Sequence, residues 1–90
     1  MMELDLLVAG DNFLLVGEAK STPTVEKAKD LLAKVEEIPI FFPEFANHTL
    51  LPLLASVSFE ESLLAYLNRK RIYALGFGTE TMELLNFGAF

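Results

Sequence analysis

Apolar residues fill two short stretches near the N-terminus, residues 4–9 and 13–19, on either side of Gly10-Asp11-Asn12. Asp and Asn tolerate the left-handed backbone of a tight turn, and glycine adds freedom, so the pattern predicts a β-hairpin. Both faces of these strands are apolar, with Leu4, Leu6 and Val8 on one side and Leu7 and Ala9 on the other. Strands of that kind belong to a sheet covered on both faces. The period then changes. Val25, Ala28, Leu31, Leu32 and Val35 recur at helical spacing, and Glu26, Lys27, Lys29, Asp30, Lys34 and Glu36 take the other face. Thr22 is expected to cap this helix with Pro23 at its first position, and Pro39 to end it near Glu37. Residues 38–45, rich in aromatics and carrying two prolines, form a connection with a short helical turn.

Residues 49–57 read as a buried strand. Pro52 cannot donate to a ladder, so it marks an edge, a bulge or a late start. Ser58-Phe59-Glu60-Glu61 has the pattern of a capping box opening a second helix. Phe59, Leu63, Tyr66 and Leu67 form its buried stripe, and Arg69, Lys70 and Arg71 close it, where cations complement the helix dipole. Residues 72–77 and 82–87 complete the chain as a hairpin around residues 78–81. The expected fold is α/β, a mixed β-sheet in the order ββαβαββ with helices on both faces.

Composition narrows the possibilities. Ninety residues suffice for one domain. A hydrophobic fraction of 52% excludes a disordered chain, and it is high enough to expect apolar surface covered by a partner or by further chain. No apolar run reaches the ~18 residues of a membrane span. Glu3 and Asp5 stand where a secretory signal would carry Lys or Arg, so a cytoplasmic location is the default expectation. The absence of cysteine removes disulfides and thiolate metal sites. The net charge of −6 argues against a nonspecific nucleic-acid binder, which carries a basic face. It leaves room for a metal site that gathers carboxylates.

The candidate chemistry lies at the hairpin's open end. A two-residue turn at Asp11-Asn12 would put Asp5 directly opposite Glu18, their Cβ atoms about 4.5–5.5 Å apart. Lys20, two residues on, would share their side of the sheet. Facing like charges destabilise a sheet, and a divalent cation between them removes that penalty. Mg²⁺ and Mn²⁺ suit such oxygen ligands. A water near Lys20 would then be placed to attack a phosphodiester. A three-residue turn at Gly10-Asp11-Asn12 would instead pair Asp5 with Gly17 and separate the two acids onto opposite faces. The plain alternative is a set of strand-end charges facing solvent.

The stretch ELDLLVAGDNFLLVGEAKS resembles the active-site hairpin of the PD-(D/E)xK nuclease-like superfamily. Asp5 matches the first acid, Glu18 the second and Lys20 the lysine. The segment NHTLLPLLASVSFEESLLAYLNRKRIYALGFG is similar to the strand-helix-strand tail of small members of that superfamily, and LLNFGAF to their ending. The resemblance implies a restriction-endonuclease-like fold over residues 1–90 and metal-dependent hydrolysis of DNA. Asp5, Glu18 and the Ala19 carbonyl would hold Mg²⁺ or Mn²⁺, and Lys20 would serve the attacking water. Family cores carry a helix and a strand ahead of the first acid, where this chain has only residues 1–4. The expected partners are therefore DNA and a second copy or additional chain in the place of those elements, or this chain is a piece of a longer protein. The competing expectation is a noncatalytic nuclease-fold module for protein interaction or oligomerisation.

Other features are weaker. Lys27, Arg69, Lys70 and Arg71 are weak candidate phosphate contacts, and a solvated helix face and a helix C-terminus are the simpler readings of them. His48 stands alone in a loop, and Gly76-Phe77-Gly78 lacks the following helix of a phosphate loop.

Overall fold

The computed structural model describes residues 4–77 and 82–86. They form a small α/β fold, one mixed sheet of five strands with two α-helices. In chain order these are β1 (Leu6–Ala9), β2 (Phe13–Ala19), α1 (Val25–Phe41), a 3-10 turn (Pro43–Phe45), β3 (Thr49–Ser56), α2 (Glu61–Lys70), β4 (Tyr73–Phe77) and β5 (Met82–Leu84). The strands lie side by side in the same order. The outer pairs β1–β2 and β4–β5 are antiparallel, and β2–β3 and β3–β4 are parallel. The connecting residues 78–81 of the last hairpin, and Phe87, lie outside the described residues.

The first hairpin has the two-residue turn. Leu6 pairs with Gly17 and Ala9 with Leu14, and the Gly10 N–H donates to the Phe13 carbonyl at 2.9 Å. Only Asp11 and Asn12 remain to make the turn. This register sends Leu7, Ala9, Leu14, Val16 and Glu18 to one face of the sheet and Leu6, Val8, Leu15 and Gly17 to the other.

The expectation of helices on both faces is corrected. α1 joins β2 to β3 and α2 joins β3 to β4, so both crossovers step the same way across the sheet. Right-handed crossovers then put both helices on the same side. One cluster confirms it: Leu14, Val16, Leu54 and Ala74 of the sheet meet Ala28, Leu31 and Ile38 of α1 and Leu63, Tyr66 and Leu67 of α2. No helix among the described residues covers the other face. There Leu53 and Ala55 are buried, while Leu6, Val8, Phe13 and Met82 are exposed. No described helix is long and apolar enough to cross a membrane.

Four local expectations are also corrected. Thr24, not Thr22, caps α1, its hydroxyl accepting the Lys27 N–H at 3.2 Å. α1 passes through Pro39. Proline withholds one helical hydrogen bond, but here it falls in the last turn. That turn is held by fully buried Ile38 and by the Phe42 N–H on the Ile38 carbonyl at 2.7 Å. α2 begins later than the capping-box pattern implies: Glu60 is its N-cap, without a side-chain cap bond. Pro52 is neither at an edge nor in a bulge. It sits within β3 opposite Val16, at a position whose missing N–H faces β4 before β4 pairing starts at Leu53.

Candidate functional site

The C-terminal end of β2 brings the motif residues into one neighbourhood. The hairpin register, continued one step past Leu6–Gly17, sets Asp5 level with Glu18. Asp5 does not continue the ladder with its backbone. Its Oδ2 accepts the Ala19 N–H at 2.9 Å, taking the place of the next β1 carbonyl and closing the strand pair. The Asp5 carboxylate thus caps the hairpin.

Glu18 projects to the helix-covered face and is only 4% exposed. A buried carboxylate needs cationic or hydrogen-bonding partners, and Glu18 has two. Lys20 Nζ lies 3.6 Å from Oε2, and Lys34 Nζ of α1 donates to Oε1. Lys20 is held by its own backbone, its N–H donating to the Ala55 carbonyl at 2.8 Å and prolonging the β2–β3 ladder. The parallel register puts Lys20 level with Ser56, whose hydroxyl is buried and has no hydrogen-bond partner among the described residues.

Lys34 was not legible as part of this group from charge alone, since it reads as one of several polar residues on the outer helix face. The signal was its spacing. It lies three residues after Leu31 and four before Ile38, both fully buried, so it shares their stripe and faces the sheet. Its long stem carries the ammonium to Glu18.

Asp5 and Glu18 also supply the charged residues lining a cleft of about 380 Å³ on the helix-free face. Leu6, Gly17, Ala19, Leu53, Ala55, Leu75, Phe77 and Met82 line the rest. Gly17 keeps its floor open: a Cβ there would stand 3.3 Å from both Leu53 Cδ2 and Leu6 Cβ.

The remaining sequence candidates lie elsewhere. Lys27 turns back on the loop before α1, donating to the Thr22 carbonyl at 2.6 Å and its hydroxyl at 3.1 Å. Arg69 and Lys70 lie against the Tyr66 ring, 5.7 and 5.9 Å from its centroid. Arg71 is the left-handed C-cap of α2, with φ 58°. His48 packs edge-on against Phe45 at 5.1 Å.

No group of three or more His, Cys, Asp or Glu gathers among the described residues. What is present at the end of β2 is two carboxylates, Asp5 and Glu18, with Ala19 directly after Glu18 on the strand. No family model matches this chain, and no curated protein or solved structure matches it either.

Proposed function

We propose that this chain is a restriction-endonuclease-like domain that hydrolyses phosphodiester bonds of DNA with Mg²⁺ or Mn²⁺. The observation that supports this reading is the hairpin register, which sets Asp5 level with Glu18 while Lys20 stays within 3.6 Å of the Glu18 carboxylate. Asp5, Glu18 and the Ala19 carbonyl would hold the cation. When bound, the cation supplies Lewis-acid polarisation of the phosphate and a lowered pKa for water. Lys20, about one-third exposed, has both an anchor on Glu18 and access to solvent. Its ammonium is suited to orient a water or to offset charge developing on the phosphate. Asp5 orients the site through Ala19, because its bond to that N–H fixes the end of the hairpin. Lys27, Arg69, Lys70 and Arg71 stand in this reading as outlying phosphate contacts. The reading also places the protein in the cytoplasm and gives the helix-free face a second copy or an additional chain as cover.

A second reading, a noncatalytic module that binds protein, is favoured by the cleft beside Asp5. Its lining is apolar apart from Asp5 and Glu18, which suits a hydrophobic side chain better than a sugar-phosphate backbone. Cleavage of single- and double-stranded DNA in Mn²⁺ distinguishes the two. The nuclease reading expects cleavage by the wild type and a loss of at least 100-fold, about 2.7 kcal/mol of barrier, in Lys20→Ala. Cleavage unchanged in that variant would contradict it.

A further inference from the structure

The two outer strands of the sheet differ. β5 is three residues long and carries Glu83, two features that keep a sheet edge from pairing. β1 has no such guard. Residues 6–10 hold no charge and no proline, the strand runs without a bulge against β2, and all four of its residues are exposed. Leu7 is 40% exposed and Val8 43%, so apolar side chains stand open on both faces of this edge. The backbone is open as well. The Gly10 N–H on the Phe13 carbonyl fixes which residues of β1 bond to β2. These are Gly10, Val8 and Leu6, opposite Phe13, Leu15 and Gly17. The N–H and carbonyl groups of Leu7 and Ala9 therefore point away from β2, and no strand among the described residues lies beyond them. An edge of this kind takes up another extended strand.

We propose that the β1 edge pairs with the β1 edge of a second copy, antiparallel about a twofold axis centred on Leu7, so that two sheets become one continuous sheet. Charge selects both the occupant and the register. A chain of net charge −6 repels its own copies, but β1 is an uncharged strand bounded by Asp5 and Asp11, along which two copies can meet. Centred on Leu7, the pairing sets Leu7 opposite Leu7, Leu6 opposite Val8, and Ala9 opposite the copy's Asp5. Apolar side chains then face apolar ones, and the two Asp5 carboxylates stand at opposite ends. A register centred on Val8 sets Asp5 opposite the copy's Asp11, like charge against like. One centred on Ala9 sets Leu7 opposite that same acid. An axis perpendicular to the sheet keeps each face continuous. The helices of both copies lie on one side, and Leu6 and Val8 of both join into one apolar patch on the other. The pairing uses neither Lys20 nor a metal, so it stands apart from the nuclease reading.

The test is sedimentation velocity of the intact chain in EDTA over about 5–500 µM, since a short edge makes a small interface of modest affinity. Wild type is compared with Leu7→Lys, Leu7→Pro and Met82→Lys. Lysine guards the edge, and proline removes an N–H that points away from β2, leaving the β1–β2 bonds in place. Met82 is exposed on the helix-free side of β5 and controls for added charge. The expected result is a concentration-dependent dimer in wild type, weakened at least tenfold in both Leu7 variants and changed less than about twofold in Met82→Lys. A wild-type monomer throughout the range overturns the proposal. So does a dimer that survives both Leu7 substitutions, or one lost only in Met82→Lys, which would put the second copy on the helix-free face. Cysteine gives a second readout that tolerates misfolding of the Leu7 variants, because the chain has no cysteine of its own. Facing residues in a bonded antiparallel pair lie about 5.5 Å apart at Cα, within reach of a disulfide. Under copper-phenanthroline oxidation, Leu7→Cys should cross-link into a dimer at least tenfold faster than Val8→Cys. Equal rates or the reverse order overturn the pairing centred on Leu7. None of these outcomes bears on cleavage in Mn²⁺.

Discussion

Asn86 stands in for a strand with its side chain. β5 ends at Leu84, and the Leu85 N–H still reaches the Ala74 carbonyl at 2.8 Å. The buried Asn86 amide then takes over, accepting the Ala74 N–H at 2.8 Å and donating to the Ile72 carbonyl at 2.8 Å and to Asn68 Oδ1 at 3.0 Å. One residue thereby satisfies the β5-facing edge at the start of β4 and ties it to α2. Asn86→Leu leaves a buried N–H and a buried carbonyl unpaired, so chemical denaturation should show a loss of about 2–4 kcal/mol. A loss below about 1 kcal/mol would mean that water replaces the amide. Asp5 follows similar logic at the other end of the sheet. Its carboxylate replaces a ladder carbonyl, a role that asparagine can keep and alanine cannot. That makes Asp5→Asn the substitution that removes charge while leaving the hairpin closed.

Among the elements, the first hairpin was the most readable, because Asp11-Asn12 between two apolar runs permits few turns and the turn fixes the register. That register carries the candidate site, so Asp5, Glu18 and Lys20 were legible together. The ends of α1 were not. Thr22-Pro23 and Thr24 offer competing start signals within three residues, and Lys27 contacts both threonines. Which one caps is decided by where Val25, Ala28 and Leu31 meet the sheet, a tertiary fact. Pro39 misled for the same reason, since the burial of Ile38 outweighs one absent hydrogen bond. The Thr24 assignment makes its own prediction: Thr24→Ala should lower stability by about 1 kcal/mol, whereas Thr22→Ala should change it by less than half as much. The reverse order, read by thermal or urea unfolding, would move the cap back to Thr22. Lys34 escaped notice because polarity outweighed spacing in placing it on the outer face of α1.

For the molecule as a whole, the decisive feature is that both described helices share one face. The apolar content on both faces of the early strands predicted cover on both, whereas the crossover directions supply described helices on one side only. The uncovered side carries the apolar cleft that reaches Asp5 and Glu18. The candidate site thus lies at the C-terminal end of β2, between a helix-covered face that supplies Lys34 and a face without a described helix. Net charge weighs against nucleic acid binding through basic surface, so the nuclease account depends on a cation at Asp5 and Glu18 to draw phosphate in. Mn²⁺ titration of the wild type against Asp5→Asn tests that dependence most directly. The account predicts uptake near one ion per chain by the wild type and its disappearance in Asp5→Asn, with the fold retained by circular dichroism. Binding of equal strength in both proteins, or none by the wild type at millimolar Mn²⁺, would contradict it.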